Sequence, residues 1–158
     1  MTDGLRTLLR REESYAIHAL IYASDNPGAS AAAMARDLEM PPAFLAKVLR
    51  RLVDAGLLTS RMGRHGGVHP AGDTANVTLL DVIEAVSGPF VMDTCQAEAA
   101  CVTTRRTGHC HLNLAYHAAS AEIRRVLSGV RVGDLSGDGP PAAVSAEGSA
   151  GPADPEPS

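Results

Sequence analysis

The sequence predicts a mainly α-helical chain with one small β-hairpin, an α+β winged helix-turn-helix followed by a long C-terminal dimerisation helix. Three observations lead there. Two short apolar-periodic segments, separated by a Leu38-Glu39-Met40-Pro41-Pro42 break, read as consecutive helices. Leu57-Leu58-Thr59-Ser60, a glycine-rich turn and Val68-His69-Pro70 read as a hairpin directly after them. Leu112, Tyr116, Ala119, Ile123, Val126 and Val130 then recur at alternating four- and three-residue steps, the spacing of a coiled-coil seam.

Taken in order, the first helix spans about Glu12 to Ser24, with Tyr15, Ala16, Ala19, Leu20 and Ala23 on one face and Asp25-Asn26-Pro27-Gly28 as its stop. Ser30 is the expected N-cap of the second, whose apolar face is Ala33, Met34 and Leu38. The third carries the strongest stripe: Leu45, Val48, Leu49, Leu52 and Val53 share a face, Pro42 suits the first turn and Gly56 closes it. Thr78 and Asp81 form a capping box for a fourth helix that ends at Gly88-Pro89. Periodicity is then lost from Phe90 to His109, and the last helix runs from near Cys110 to about Val130. This ordering divides the chain into a DNA-binding domain at 9–90, a cysteine loop at 91–109, a dimerisation helix at 110–135 and a tail at 136–158.

The composition bounds what such a chain does. Its 158 residues suffice for one domain of ordinary size. From Ser136 onward the sequence is Gly, Pro, Ser, Ala and acids with Val144 its only large aliphatic residue, a composition that predicts a disordered acidic tail. The net charge of −4 is misleading, because all 14 cations precede residue 132 while five of the 18 acids lie at Asp134 or beyond. No apolar run is long enough to span a bilayer, and the first residues lack the apolar core of a secretory signal, so a cytoplasmic location is expected. Three cysteines within sixteen residues of such a chain point to metal binding or redox chemistry rather than to a disulfide scaffold.

Together these words, in this order, resemble the Rrf2 family of winged-helix regulators, the IscR/NsrR/RsrR-like group. The matching stretches are SYAIHALIYAS, PAFLAKVLRRLVDAGLL, GRHGGVHPA and VTLLDVIEAVSGP, followed by the cysteine loop and a long helix ending VRVGDL. They cover about Leu9 to Leu135. Two departures stand out: Val68 occupies the place where the family wing usually has an aromatic, and the segment before the first helix is longer than usual.

The resemblance implies a homodimer on double-stranded DNA with a palindromic operator. The recognition helix then offers Pro42, Ala43, Phe44 and Lys47 to a major groove, a set suited to apolar contacts such as thymine methyls. Arg50 and Arg51 lie further along, within reach of phosphates, and Arg61, Arg64 and His65 stand in the wing where a narrow minor groove attracts cations. From Arg36 to His65 six cations face three acids, a local positive excess in the expected place. An isolated amphipathic helix with Arg50 and Arg51 reads equally as a solvated face; the wing beside it favours DNA. The wing glycines do not form a nucleotide loop, since no Lys-Ser/Thr pair follows them.

Cys95, Cys101 and Cys110 are separated by five and then eight residues, wider than the paired spacing of zinc fingers and compatible with an iron–sulfur cluster. By resemblance they are three ligands of a 2Fe-2S or 4Fe-4S cluster. The resemblance places His18 as the leading fourth ligand, from the first helix of the other subunit. Ser14 occupies the usual acidic position, with Glu13 one residue earlier and so about 100° away around a helix. His109, His111 and His117 also lie near the loop. Three alternatives stay open: a cluster-free regulator that senses thiol oxidation, an adaptor using the winged helix for protein contacts, and an enzyme. The enzyme is disfavoured because no histidine sits in a catalytic motif and the chain has no Trp, two Phe and three Tyr with which to line a pocket.

Overall fold

A computed structural model describes residues 6–63, 66–97 and 101–135. Among the described residues, six helices, α1 (Arg11–Asp25), α2 (Ala31–Asp37), α3 (Pro42–Asp54), α4 (Leu79–Ser87), α5 (Val102–Thr107) and α6 (His111–Gly129), accompany one antiparallel hairpin of β1 (Leu58–Arg61) and β2 (Gly67–Pro70) between α3 and α4. Short 3-10 turns occupy Thr74–Asn76, Thr94–Gln96 and Val132–Leu135. Among the described residues, no helix is long and apolar enough to cross a membrane. The tail at 136–158 lies outside the described residues, as do Arg64 and His65 of the wing.

The helix starts follow from local chemistry. Ser30 Oγ accepts from the backbone N–H of Ala33 at 3.1 Å, and Pro42 supplies the first residue of α3, where its missing N–H costs nothing. The Thr78–Asp81 capping box is reciprocal: Thr78 Oγ1 accepts from Asp81 N–H at 3.1 Å, and Asp81 Oδ2 accepts from Thr78 N–H at 2.9 Å. The α2–α3 turn brings Glu39 into the left-handed region at φ 51°, the one non-glycine residue there among the described residues.

Packing joins these elements around one core. Ala16, Ala19 and Ala23 of α1 are fully buried beside Leu20, and their small side chains let α3 and α4 approach closely. Leu45, Val48 and Leu52 of α3 fill the centre with Val82 and Ile83 of α4, and Leu58 and Val68 extend it under the hairpin. The hairpin is not free-standing. Gly28 N–H donates to Val68 carbonyl at 2.8 Å and Val68 N–H to Ala29 carbonyl at 2.9 Å, so an isolated bridge ties the α1–α2 loop to β2.

Two details differ from the sequence reading. The stretch 90–109 contains the six-residue helix α5 and a 3-10 turn; elements this short carry no apolar period to detect. Val130, expected on the coiled-coil seam, lies past the end of α6 in extended conformation. It is buried, and its carbonyl accepts from Leu79 N–H at 3.0 Å. With Val132 N–H donating to Val77 carbonyl at 2.8 Å, this ties the far end of α6 to the start of α4.

Candidate nucleic-acid interface and metal centre

The recognition helix α3 presents an uneven set of side chains. Pro42, Ala43 and Ala46 are exposed. Phe44 turns inward, packing edge-on against Tyr15 with ring centroids 5.4 Å apart, so it braces α3 on α1. Lys47 is exposed, with Nζ 3.4 Å from Glu12 Oε1.

The two adjacent arginines diverge. The Arg50 side chain is 84% exposed, and its contact with Asp54 is a loose 3.9 Å. Arg51, at 36%, turns toward the body of the protein, where Nη1 donates to the Val86 carbonyl at 2.7 Å and lies 2.9 Å from Glu12 Oε1. In the wing, Arg61 is exposed at the end of β1 and Met62 beyond it is fully exposed. A groove of about 430 Å³ between α3 and the hairpin is lined by Leu49, Arg50, Val53, Ser60 and Val68.

All three cysteines are free thiols and half-buried. Cys95 sits in the Thr94–Gln96 turn, Cys101 immediately precedes α5, and Cys110 is the N-cap of α6 with His109 and His111 on either side, their rings 4.9 Å apart. Asn113, in the first turn of α6, donates from Nδ2 to the Cys95 carbonyl at 2.9 Å and stands 3.6 Å from its sulfur.

Further along the same face, Ser120 Oγ accepts from Met92 N–H and donates to Gln96 Oε1, both at 3.0 Å. Arg124 then pairs with Glu84 and donates to the Phe90 carbonyl at 3.4 Å. Asn113, Ser120 and Arg124 therefore lace the segment from Phe90 to Gln96 along α6.

This environment separates the thiols. The Thr104 hydroxyl beside Cys101 Sγ, at 3.5 Å, holds that thiol below its ordinary range, with the backbone of Thr104 and Thr103 assisting. At Cys95 the Asn113 amide acts in the same direction, but burial and the Asp93 carboxylate outweigh it and the thiol is raised; the charge of Cys101 adds to that rise. Asp93 is itself lowered by hydrogen bonds from Cys95.

As donors for an iron–sulfur cluster the thiols fit in kind, being free and partly shielded, with an N–H donor beside Cys95 and a hydroxyl beside Cys101. Among the described residues of one chain, no three His, Cys, Asp or Glu side chains converge into a metal cage. Glu13 is buried with its carboxylate accepting from Arg10 N–H at 2.7 Å, so its oxygens serve the start of α1. His18 is exposed, with Nδ1 2.9 Å from the Ser14 carbonyl. A carbonyl only accepts, so Nδ1 is the donor in that contact. Asn113, Thr104 and Glu12 had no signal in the sequence, since a polar residue on a helix reads as solvated until its partner segment is known.

A family profile described as Rrf2, iron-dependent transcriptional regulator, matches residues 9–138. The chain belongs to the Rrf2 family. Protein aau3 of Rhizobium meliloti (strain 1021) is 31% identical over 129 residues, which is 80% of this chain and 83% of that protein. Among solved structures, CymR (YrzC), the global cysteine regulator of B. subtilis, aligns with a TM-score of 0.64 at 17% identity, over 83% of this chain and 97% of that one. T. potens IscR aligns with a TM-score of 0.62 at 20% identity, over 85% and 88%. These likenesses show the winged-helix fold. This Rrf2 protein is thus a transcriptional regulator, of a family whose members bind DNA, are typically dimeric and are regulators rather than enzymes.

Proposed function

We propose that this Rrf2 regulator is a homodimer that binds a palindromic operator and senses redox, nitric oxide or iron–sulfur status through an iron–sulfur cluster. Its ligands would be Cys95, Cys101 and Cys110, with His18 of the partner subunit completing the set. The observation that carries this reading is three free, half-buried thiols, Cys95 in a turn fastened to α6 and Cys110 at the N-cap of that helix. His18 is supported by its Nδ1 contact to Ser14, the kind of outer-shell hydrogen bond that orients an imidazole for coordination through Nε2. The cluster, when bound, supplies a one-electron centre that is also a target for nitric oxide.

The dimer is supported by the outward face of α6. Leu112 and Val126 of the expected seam are 57% and 50% exposed, and Tyr116, Ala119 and Ile123 between them are half-buried. A second α6 packed there would bring two cysteine segments to the base of one helix pair. A change at Cys95 would pass through Asn113 and Ser120 to α6, and through Arg124 and Glu84 to α4, against which α3 packs. Two recognition helices moved together would change operator affinity. DNA contacts are assigned to Pro42, Ala43, Lys47 and Arg50 of α3 and to Arg61, Arg64 and His65 of the wing.

Anaerobic purification followed by an absorption spectrum and iron and sulfide analysis tests the cluster. Visible absorbance with stoichiometric sulfide is expected, and Cys101→Ala should abolish it and alter operator affinity. Protein purified without iron or visible colour defeats the cluster. The second reading, a cluster-free switch driven by an external oxidant, is favoured by the three thiols being free and by the Thr104 hydroxyl 3.5 Å from Cys101 Sγ. Reversible Cys95–Cys101 disulfide formation in iron-free protein would establish it.

A further inference from the structure

We infer that Arg51 is a positioning residue of the recognition helix, which sets the seat of α3 on α4 and α1, and is not a phosphate contact. The inference rests on DNA binding by this family and needs no cluster. Its basis is the C-terminal end of α4. The last carbonyls of a helix lack partners within it and carry its negative end. Val86 lies in that last turn. The N–H four residues on, that of Phe90, is taken instead by Glu84 Oε1 at 2.9 Å. The Val86 carbonyl is left for Arg51 Nη1 at 2.7 Å, so an arginine of α3 caps α4.

Glu12 completes the arrangement from α1. Its carboxylate is 17% exposed and its Oε1 lies 2.9 Å from Arg51 Nη1. That oxygen receives no well-aimed hydrogen bond, so the contact is one of charge, while the N–H itself is directed at Val86. One guanidinium therefore ties three helices at the C-terminal half of α3. Arg50, one residue and about 100° earlier, is 84% exposed and faces away. Base readout depends on where Pro42 to Lys47 fall in a groove, whereas attraction to the backbone is diffuse. Loosening α3 should thus weaken specific binding and leave non-specific binding intact.

The test uses the full-length dimer and two duplexes: one enriched from a random-sequence pool by the wild-type protein, and one unrelated duplex. Binding is measured across salt at a temperature where circular dichroism shows each variant folded. Arg51→Met is expected to lower the preference for the enriched duplex roughly tenfold, the size of one lost base contact. Non-specific affinity and the salt slope should stay at wild-type values. Arg51→Lys should restore the preference in part, because an ammonium can still donate to the Val86 carbonyl and keep its charge beside Glu12.

Glu12→Gln, measured in a Lys47→Met background because Lys47 Nζ shares Glu12 Oε1 at 3.4 Å, should reproduce part of the loss and keeps the question open to test if Arg51→Met is unstable. Arg50→Met should instead weaken both duplexes alike and reduce the salt slope by about one. If Arg51→Met weakens both duplexes with a reduced slope, or changes neither, the assignment is overturned while DNA binding stands. If the wild-type protein enriches no duplex, DNA binding and the assignment fall together.

Discussion

Asn113 and Cys95 are joined by one amide, whose Nδ2 donates to the cysteine's carbonyl at 2.9 Å and lies 3.6 Å from its sulfur. The long helix thus holds the cysteine turn at the residue proposed to bind the cluster. Asn113→Leu keeps the volume and removes the donor. Loss of one such bond is worth about 1 kcal/mol, which corresponds to a roughly five-fold rise in exchange of the amides it protects. Hydrogen exchange of peptides covering Met92 to Ala97 should show that rise in cluster-free protein. Unchanged exchange there would mean the turn is held by Gln96 and Ser120 alone.

The wing should be sensitive at one glycine and tolerant at another. A Cβ on Gly67 would lie 2.2 Å from the Gly28 carbonyl oxygen, and the residue sits at φ +137°. Gly67→Ala must therefore push the α1–α2 loop off β2, at a cost of about 2 kcal/mol or more. Gly63, at φ +109°, has nothing within 4 Å of such a Cβ, so Gly63→Ala carries only backbone strain of about 1 kcal/mol. Urea unfolding compares the two directly, and equal midpoints would contradict the close approach.

Leu112→Glu places a charge in the proposed seam. An isologous interface contains every residue twice, and each Leu112 has 57% of its surface left to bury, so the lost burial is about 2–3 kcal/mol per dimer. Sedimentation equilibrium at micromolar protein should show a dimer for the wild type and a monomer for the variant. A wild-type monomer, or a variant of unchanged mass, would move the interface elsewhere.

Tyr22 and Asp37 tie α1 to α2 through a 2.7 Å hydrogen bond from the phenol to the carboxylate. The bond raises the Tyr22 phenol and, with Arg36, lowers Asp37. For Asp37, whose folded pKa is lowered, the stabilisation is present above the ordinary carboxylate range and is lost as pH falls through the folded value. For Tyr22, raised on folding, it is present below the ordinary phenol range and is lost as pH rises through the folded value. Ultraviolet titration should therefore find Tyr22 ionising later than a free tyrosine, and Asp37→Asn should bring it back down. A phenol titrating as in the free amino acid would remove the bond.

The positions of α1 to α4, the Ser30 and Thr78–Asp81 caps, and the hairpin after the recognition helix were legible in the sequence, and for a shared reason. Ser30, Pro42, Thr78 and Asp81 act on atoms within a few residues of themselves, so spacing alone identifies them. The amphipathic stripe of α3 was legible in the same way, because a helix repeats its faces regularly. The family, too, was read from words in order.

What each polar side chain does was decided only in three dimensions. Arg50 and Arg51 are identical in type and adjacent in sequence; one meets solvent and the other meets Val86, 35 residues away. Phe44, expected at a groove, also packs edge-on against Tyr15 of α1. Asn113 gained its role from a turn 18 residues earlier, and Val130 left the seam because α4 offered its N–H. Local sequence sets which element forms and which way it faces, since those depend on torsions and period. The partner of a charged or hydrogen-bonding group depends on which distant segment the packed core delivers to it, and that is a property of the tertiary structure.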